Sequence, residues 1–320
     1  MKKTIGILGC ASIAEKFIIP NLLSSDKFKL IGIASRDMSK ATEFGDRFGI
    51  KPFGDYQELI DSKPDCIYIP LPNALHFEWV RKALLSDINV IVEKSLATSN
   101  NDVNELNNIA KKNDLVLFEN FQFRFHKQFD FIKQSINNKL IGEVRSIRAS
   151  FGFPPFIDNN NIRYKKELGG GALLDAGAYT IKISTLLLGN TISVSSSVMN
   201  YTKNHEVDIF GSGMLLEHTN KVVSQVAYGF DNHYQNCLEI WGSDGVLVAD
   251  RIFTAGPSIK AKVLVKTSEF VNEHTFQDNH FENMINYFYG LLVGTESKSE
   301  EYKQNLKQSQ LLAEFIKNAK

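Results

Sequence analysis

A short apolar run, Thr4–Leu8, ends in Gly9-Cys-Ala-Ser-Ile-Ala14, then leads through an amphipathic stretch into a second apolar run at Lys29–Ala34. No other feature restricts the fold as much. Strand, glycine turn, helix and strand form the βαβ unit of a dinucleotide-binding sheet. Gly9 permits the tight turn. Ala11 stands where a second glycine normally admits the pyrophosphate, and Ala14 is the small residue that lets helix pack on strand. The helix start offers free N–H groups and the positive end of a dipole to phosphate. Gly9, Ala11, Ser12 and Ile13 are therefore the expected loop contacts to a dinucleotide. Lys2-Lys3 and Cys10 also suggest a short lipoprotein-type signal. The apolar run is shorter than a secretory core of about 7–15 residues, and Glu15-Lys16 follow at once.

The same alternation continues. Strands are expected at Cys66–Pro70, Asn89–Glu93 and Leu115–Glu119, with helices near Ile13–Ser25, Ser39–Phe48, Ala74–Ser86 and Asn100–Lys112. Pro20 should kink the first helix. These strands are apolar throughout, as in a doubly wound parallel sheet covered on both faces. After about Phe123 the texture changes. A helix (His126–Asn137) and a strand (Val144–Phe153) precede an irregular segment, Pro154–Glu167, and a helix opens after Gly169-Gly170-Gly171. Period-2 runs follow at Ile192–Val198, Asp208–Leu216, Val222–Tyr228, Cys237–Trp241, Val246–Ala249, Lys262–Val265 and Phe270–Phe276, and two helices, Asn283–Val293 and Glu301–Ala319, close the chain. Successive strands without helices between them imply an open, largely antiparallel sheet. The fold class is α/β, with a Rossmann domain over 1–122 and a second α/β domain over 123–320 whose last helix packs back on the first.

Composition narrows the partners. The 320 residues carry 36 Lys+Arg against 36 Asp+Glu, so the basic footprint of a nucleic-acid binder is missing. No apolar run approaches the roughly 18 residues of a membrane span. Cys10, Cys66 and Cys237 are odd in number and far apart, which fits neither a disulfide framework nor a metal site. A reducing cytoplasm is the expected compartment.

Open α/β sheets bind ligands at the carboxyl ends of strands. Ser35-Arg36 end the second strand, where an acid would take a ribose 2′-hydroxyl and Arg a 2′-phosphate. Arg36, with Lys40 a turn later, favours NADP(H), although Asp37 is one residue away. Leu71, Asn73 and His76 follow the third strand, and Glu93 and Lys94 end the fourth. Lys94 is suited to donate to a carbonyl or alcohol oxygen, and Asn73 reads as a cap of its helix. Asp175 and Tyr179, four apart, would share one helical face. Gly177 between them weakens a helix by about 1 kcal/mol against Ala, which suggests a close approach. A carboxylate, a phenol and an ammonium suit proton transfer. The alternative is that Asp175 caps the helix or pairs with Lys182 while Tyr179 is a half-buried core aromatic.

These motifs together resemble the Gfo/Idh/MocA oxidoreductase family: Gly9–Ala14, Ser35-Arg36, Pro72-Asn73-Ala-Leu-His76, Glu93-Lys94 and Gly169–Tyr179. The resemblance implies a catalytic Lys94, with Asp175 and Tyr179 at the substrate, and self-association as a dimer or tetramer through the second sheet. Two departures stand out. Ser95 replaces the family's proline after the lysine, and Tyr179 occupies a position that is His in many members. Phe121–His126, Ile141-Gly-Glu143 and Asn161–Tyr164 are most similar to nucleotide-sugar 3-ketoreductases. The expected activity is NADPH-dependent reduction of a nucleotide-linked keto-deoxyhexose, with Arg163 facing a substrate phosphate or, alternatively, held in a loop salt bridge. Oxidation of xylose or a trans-dihydrodiol, and a non-catalytic nicotinamide sensor, are the competing expectations.

Overall fold

The computed structural model describes residues 2–158 and 160–320. The chain divides into two compact units, Met1–Asn120 with Phe281–Leu306, and Phe121–His280 with Lys307–Lys320. Residues 281–306 thus group with the first unit.

In the first unit, β1 (Lys3–Leu8), β2 (Phe28–Ala34), β3 (Pro52–Phe53), β4 (Cys66–Ile69), β5 (Asn89–Glu93) and β6 (Leu117–Asn120) pair in parallel, in the order β3-β2-β1-β4-β5-β6. The order reverses between β1 and β4, so the loops leaving these strands diverge and open a crevice. The crossovers are α1 (Ile19–Ser24), α2 (Met38–Phe48), α3 (Tyr56–Asp61), α4 (Asn73–Leu85) and α5 (Asn100–Lys112). Every residue of β4 is buried, as expected of a strand covered on both faces. From the chain's end, α8 (His280–Val293) brings Phe288 within stacking distance of Phe28 and Phe118, both at 6.1 Å between ring centroids.

Two local readings need correction. Pro20 does not kink a regular helix. The chain instead widens into a π turn over Ala14–Ile18, closed by the Ile19 N–H donating to Ala14 O, and Pro20 falls at the start of the resumed helix α1. A residue without an N–H is tolerated where the hydrogen-bond ladder has already shifted. The second concerns β3 and α3, which have no counterpart in the hydropathy pattern. Asp55 caps α3 by accepting the Glu58 N–H at 2.8 Å.

The second unit holds an eight-stranded sheet. Its strands are β7 (Val144–Gly152), β8 (Ile192–Tyr201), β9 (Asp208–Glu217), β10 (Val223–Gly229), β11 (Gln235–Gly242), β12 (Gly245–Asp250), β13 (Ala261–Thr267) and β14 (Val271–Phe276), in the order β14-β13-β12-β11-β7-β10-β9-β8. All pairings are antiparallel except β7 with β10. α6 (Lys127–Asn137), α7 (Ala178–Leu188) and the end of α9 (Lys298–Asn318) belong to this unit's core through Phe129, Ile181 and Phe315. The helical stretch Lys166–Leu188 is long and apolar enough to cross a membrane, contrary to the sequence expectation, but most of it is buried inside the protein.

Candidate active site

The turn after β1 is built for close approach. Gly9 has a φ of +125° and donates its N–H to Ala34 O at 2.9 Å. That φ strains any residue but glycine, and a Cβ here would also stand 2.8 Å from Leu71 Cδ2. Ala11 O accepts the Glu15 N–H, which starts the helix and leaves its first amides facing the crevice. That cradle, with exposed Ser12, fits a dinucleotide phosphate. At the end of β2, Ser35 is buried, and Arg36 and Lys40 are exposed. Asp37 is committed elsewhere. Its carboxylate caps α2 by accepting the Ser39 N–H at 3.0 Å, while its own N–H donates to Ser35 Oγ. Tyr56, on the unanticipated helix α3, lies in hydrogen-bonding reach of Arg36, and burial pushes its phenol up.

The loops after β4 and β5 are tied together. His76 is fully buried, with Nδ1 2.7 Å from Ser95 O and Nε2 2.7 Å from Leu71 O. Both ring nitrogens are thus directed at backbone, which places His76 as a pin between the loops and corrects its expected contact with cofactor. A neutral imidazole has one N–H and donates to one of these carbonyls. Burial, together with the Lys94 ammonium, pushes the ring down to about 4. Asn73 is also reassigned. Pro72 is the cap position of α4, and Asn73 Oδ1 accepts the Ser95 N–H at 3.2 Å. The Lys94–Ser95 peptide is cis. Glu93 Oε1 accepts from Tyr68 Oη and from Asn120 Nδ2, each at 2.7 Å. Burial raises this carboxyl against those hydrogen bonds. Lys94 follows directly, half-buried at the strand's carboxyl end.

In the second unit, Arg163 and Asp175 meet. Nε stands 2.7 Å from Asp175 Oδ2, and the guanidinium lies over the Phe156 ring at 5.1 Å. The Asp175 carboxylate is the main influence holding Arg163 above its ordinary value, with Tyr179 also contributing. Leu173–Gly177 form a π turn leading into α7, wider than the α-helix implied by the four-residue spacing. Asp175 therefore pairs with Arg163, and Lys182 is buried 5.2 Å over the Phe121 ring. Gly177 has a packing reason: a Cβ there would be 2.9 Å from the Tyr228 ring. Gly171 has another, since its Cβ would strike the Asp208 carboxylate. Asp208 Oδ2 accepts the Leu173 N–H at 2.7 Å and so anchors the start of the turn.

Tyr179 is set in an aromatic wall. Phe121, Phe123, Phe151 and Phe253 surround its ring at centroid distances of 5.5, 5.9, 5.2 and 5.7 Å. Its hydroxyl meets the carboxamide of Gln122, a partner that the sequence reading missed. The signal was an uncharged polar residue interleaved, with Arg124, among Phe121, Phe123 and Phe125. Among the described residues, no cluster of three His, Cys, Asp or Glu is placed to hold a metal.

With this geometry in place, comparison with known proteins is decisive. Residues 3–121 match the oxidoreductase family Gfo/Idh/MocA, NAD-binding Rossmann fold, and residues 129–248 match the Gfo/Idh/MocA C-terminal domain. The chain belongs to this family. A dTDP-3,4-didehydro-2,6-dideoxy-α-D-glucose 3-reductase of Saccharopolyspora spinosa is 37% identical, over 84% of this chain and 81% of the relative. A D-xylose 1-dehydrogenase (NADP⁺) of Haloferax volcanii is 32% identical, over 85% of this chain and 83% of the relative. A 3-ketoreductase from Actinomadura kijaniata, solved with NADP and TDP-benzene, superposes with a TM-score of 0.95 and 31% identity, covering 100% of this chain and 98% of that one.

Proposed function

We propose that the chain is an NADPH-dependent reductase that converts the C3 keto group of a nucleotide-linked keto-deoxyhexose to an alcohol. The observation that carries this reading is the full-length likeness to the Actinomadura kijaniata 3-ketoreductase. The bound dinucleotide contributes a hydride from nicotinamide C4 to the carbonyl carbon. The chain supplies the rest. Gly9, Ala11, Ser12 and Ile13 take the pyrophosphate, and Arg36 and Lys40 the 2′-phosphate. Leu71, Asn73 and Glu93 form the walls beside the nicotinamide, with Asn73 acting through Ser95. Lys94 donates a hydrogen bond to the carbonyl oxygen and stabilises the negative charge that grows there. Tyr179 gives that oxygen its proton and recovers one from solvent. Asp175 orients Arg163 and accepts from a sugar hydroxyl, while Arg163 faces the substrate's phosphate.

The outer face of the eight-stranded sheet is the surface for self-association. A shallow hollow of about 550 Å³ there is lined by Arg148, Val198, Met214 and Gln225, among others, and Val198 and Met214 are exposed. The free thiols of Cys10, Cys66 and Cys237 suit the reducing cytoplasm in which we place the enzyme.

Turnover of dTDP-3,4-didehydro-2,6-dideoxy-α-D-glucose with NADPH, followed at 340 nm, tests the reading. Lys94→Ala and Tyr179→Phe are each expected to lower kcat by about 100-fold or more while leaving NADPH binding intact. The xylose-dehydrogenase relative supports a second reading, and turnover of free xylose with NADP⁺ but not of the nucleotide sugar would establish it.

A further inference from the structure

We propose that Gln122 is a positioning residue for proton transfer. Its carboxamide fixes the Tyr179 hydroxyl and stabilises the phenolate left when that hydroxyl gives up its proton. The inference rests on the reductase reading above.

Gln122 opens a 3₁₀ turn, Gln122–Phe125, that immediately follows Phe121. It is 6% exposed, between Phe121 and Phe123, which are fully buried. A buried carboxamide in such an apolar setting is costly without partners, and this one faces a phenol. Nε2 lies 3.2 Å from Tyr179 Oη, and Tyr179 Oη lies 3.4 Å from Gln122 Oε1. The four surrounding phenylalanine rings hold the phenol by its edges and face, but none offers a hydrogen bond. The amide is thus a direct polar partner of the hydroxyl inside this wall.

The chemistry of an amide suits a group that changes protonation state. While Tyr179 is a phenol, its O–H is free to turn from Oε1 toward an acceptor, and its oxygen still receives the Nε2 N–H. Once the proton has moved to the substrate oxygen, the O–H bond is broken and the electron pair stays on the phenolate. The Nε2 N–H then becomes a charge-assisted donor to that phenolate. A carboxylate at 122 would lack the donor, and an ammonium would lack the acceptor. Hydrogen bonding to the charged form lowers the phenol's pKa and makes it a stronger acid.

The test combines kinetics with a direct titration. In NADPH-dependent reduction of the dTDP-keto sugar, Gln122→Leu is expected to lower kcat about 10- to 100-fold, the worth of one hydrogen bond to a charged group. KM for NADPH should change less than twofold, and the alkaline limb of the kcat profile should move to higher pH. In a Tyr179→Phe background the same substitution should change kcat less than twofold. An equal loss in both backgrounds, or full activity of Gln122→Leu, overturns the proposal. Ultraviolet titration of the tyrosines, taken as the difference from Tyr179→Phe, needs no turnover. The phenol's pKa should rise in Gln122→Leu, and rise further in Gln122→Glu. Unchanged titration refutes the role of Gln122 whatever the substrate is, whereas a wild-type enzyme that titrates as expected but reduces no nucleotide sugar refutes only the substrate assignment.

Discussion

Arg163 Nε stands 2.7 Å from Asp175 Oδ2, joining the irregular segment before the triple glycine to the turn that leads into α7 and Tyr179. The two side chains are partly exposed, at 40% and 18%. The pair alone therefore contributes little to stability, and its value lies in orienting two groups toward a ligand. Arg163→Ala and Asp175→Asn are each expected to raise KM for the nucleotide sugar about tenfold, with KM for NADPH unchanged. Steady-state kinetics with each substrate varied in turn decides this. A rise confined to NADPH would assign the pair to the cofactor.

Arg36 carries the choice of nicotinamide. Since Asp37 is held by the cap of α2, the exposed guanidinium is the group presented beyond Ser35. Arg36→Ala is expected to weaken NADPH about 10- to 100-fold and NADH hardly at all. Fluorescence titration with both cofactors measures it, and equal losses would remove Arg36 from 2′-phosphate recognition.

Asp208 gives stability a pH dependence of unusual sign. Burial, partly offset by the Leu173 N–H, pushes its carboxyl up to about 6, against an ordinary value of 3.8. The folded protein therefore holds that proton more tightly than the unfolded chain. Its contribution is complete below about 4 and is lost as pH rises to 6, by about 3 kcal/mol at most. Asp208→Asn keeps an oxygen for Leu173 and removes the titration. The difference in Tm between wild type and variant is expected to change across pH 4–7. Parallel curves would contradict it.

His76 works in the opposite direction. With its ring pushed down to about 4 by burial and by Lys94, the unfolded chain takes up the proton first as pH falls from 6.5. Stability is therefore lost on acidification across that window, and His76→Gln should flatten this limb of the Tm profile. The same variant is expected to weaken NADPH binding, because the ring that packs between the Leu71 and Ser95 carbonyls, and donates to one of them, is lost. Unaltered NADPH binding would show that the pin is dispensable to the crevice.

The sheet architecture was legible because apolar runs report burial directly. β4, buried at every residue, announced a covered sheet, and Ile192 and Val194 of β8 an open one, but a register shift between Val194 and Ser196 turns Ser197 inward and leaves Val198 exposed, against the alternation expected there. β3 and α3 were not legible, since a two-residue edge strand has no period and α3 is only one and a half turns. At the site, residue types were readable but partners were not. Lys94, Asp175 and Tyr179 could be singled out from motif and spacing. That Asn73 serves Ser95, that His76 faces two carbonyls, and that Arg163 takes Asp175 depend on chain segments brought together only by the fold. Gly177 shows the same limit: a close approach was expected there, but that the neighbour is the Tyr228 ring was not readable.

The one parallel pairing in the larger sheet has a cost during synthesis. β7 lies between β10 and β11, so neither neighbour exists until the chain has grown past Val223. A nascent chain emerging from the ribosome must carry β7 with both edges open while α7, β8 and β9 are added, and the sheet closes through contacts distant in sequence. Such a topology folds slowly and exposes a sticky strand in the meantime. The open edges of β7 are therefore the part of this sheet most exposed to mispairing until β10 and β11 have been made.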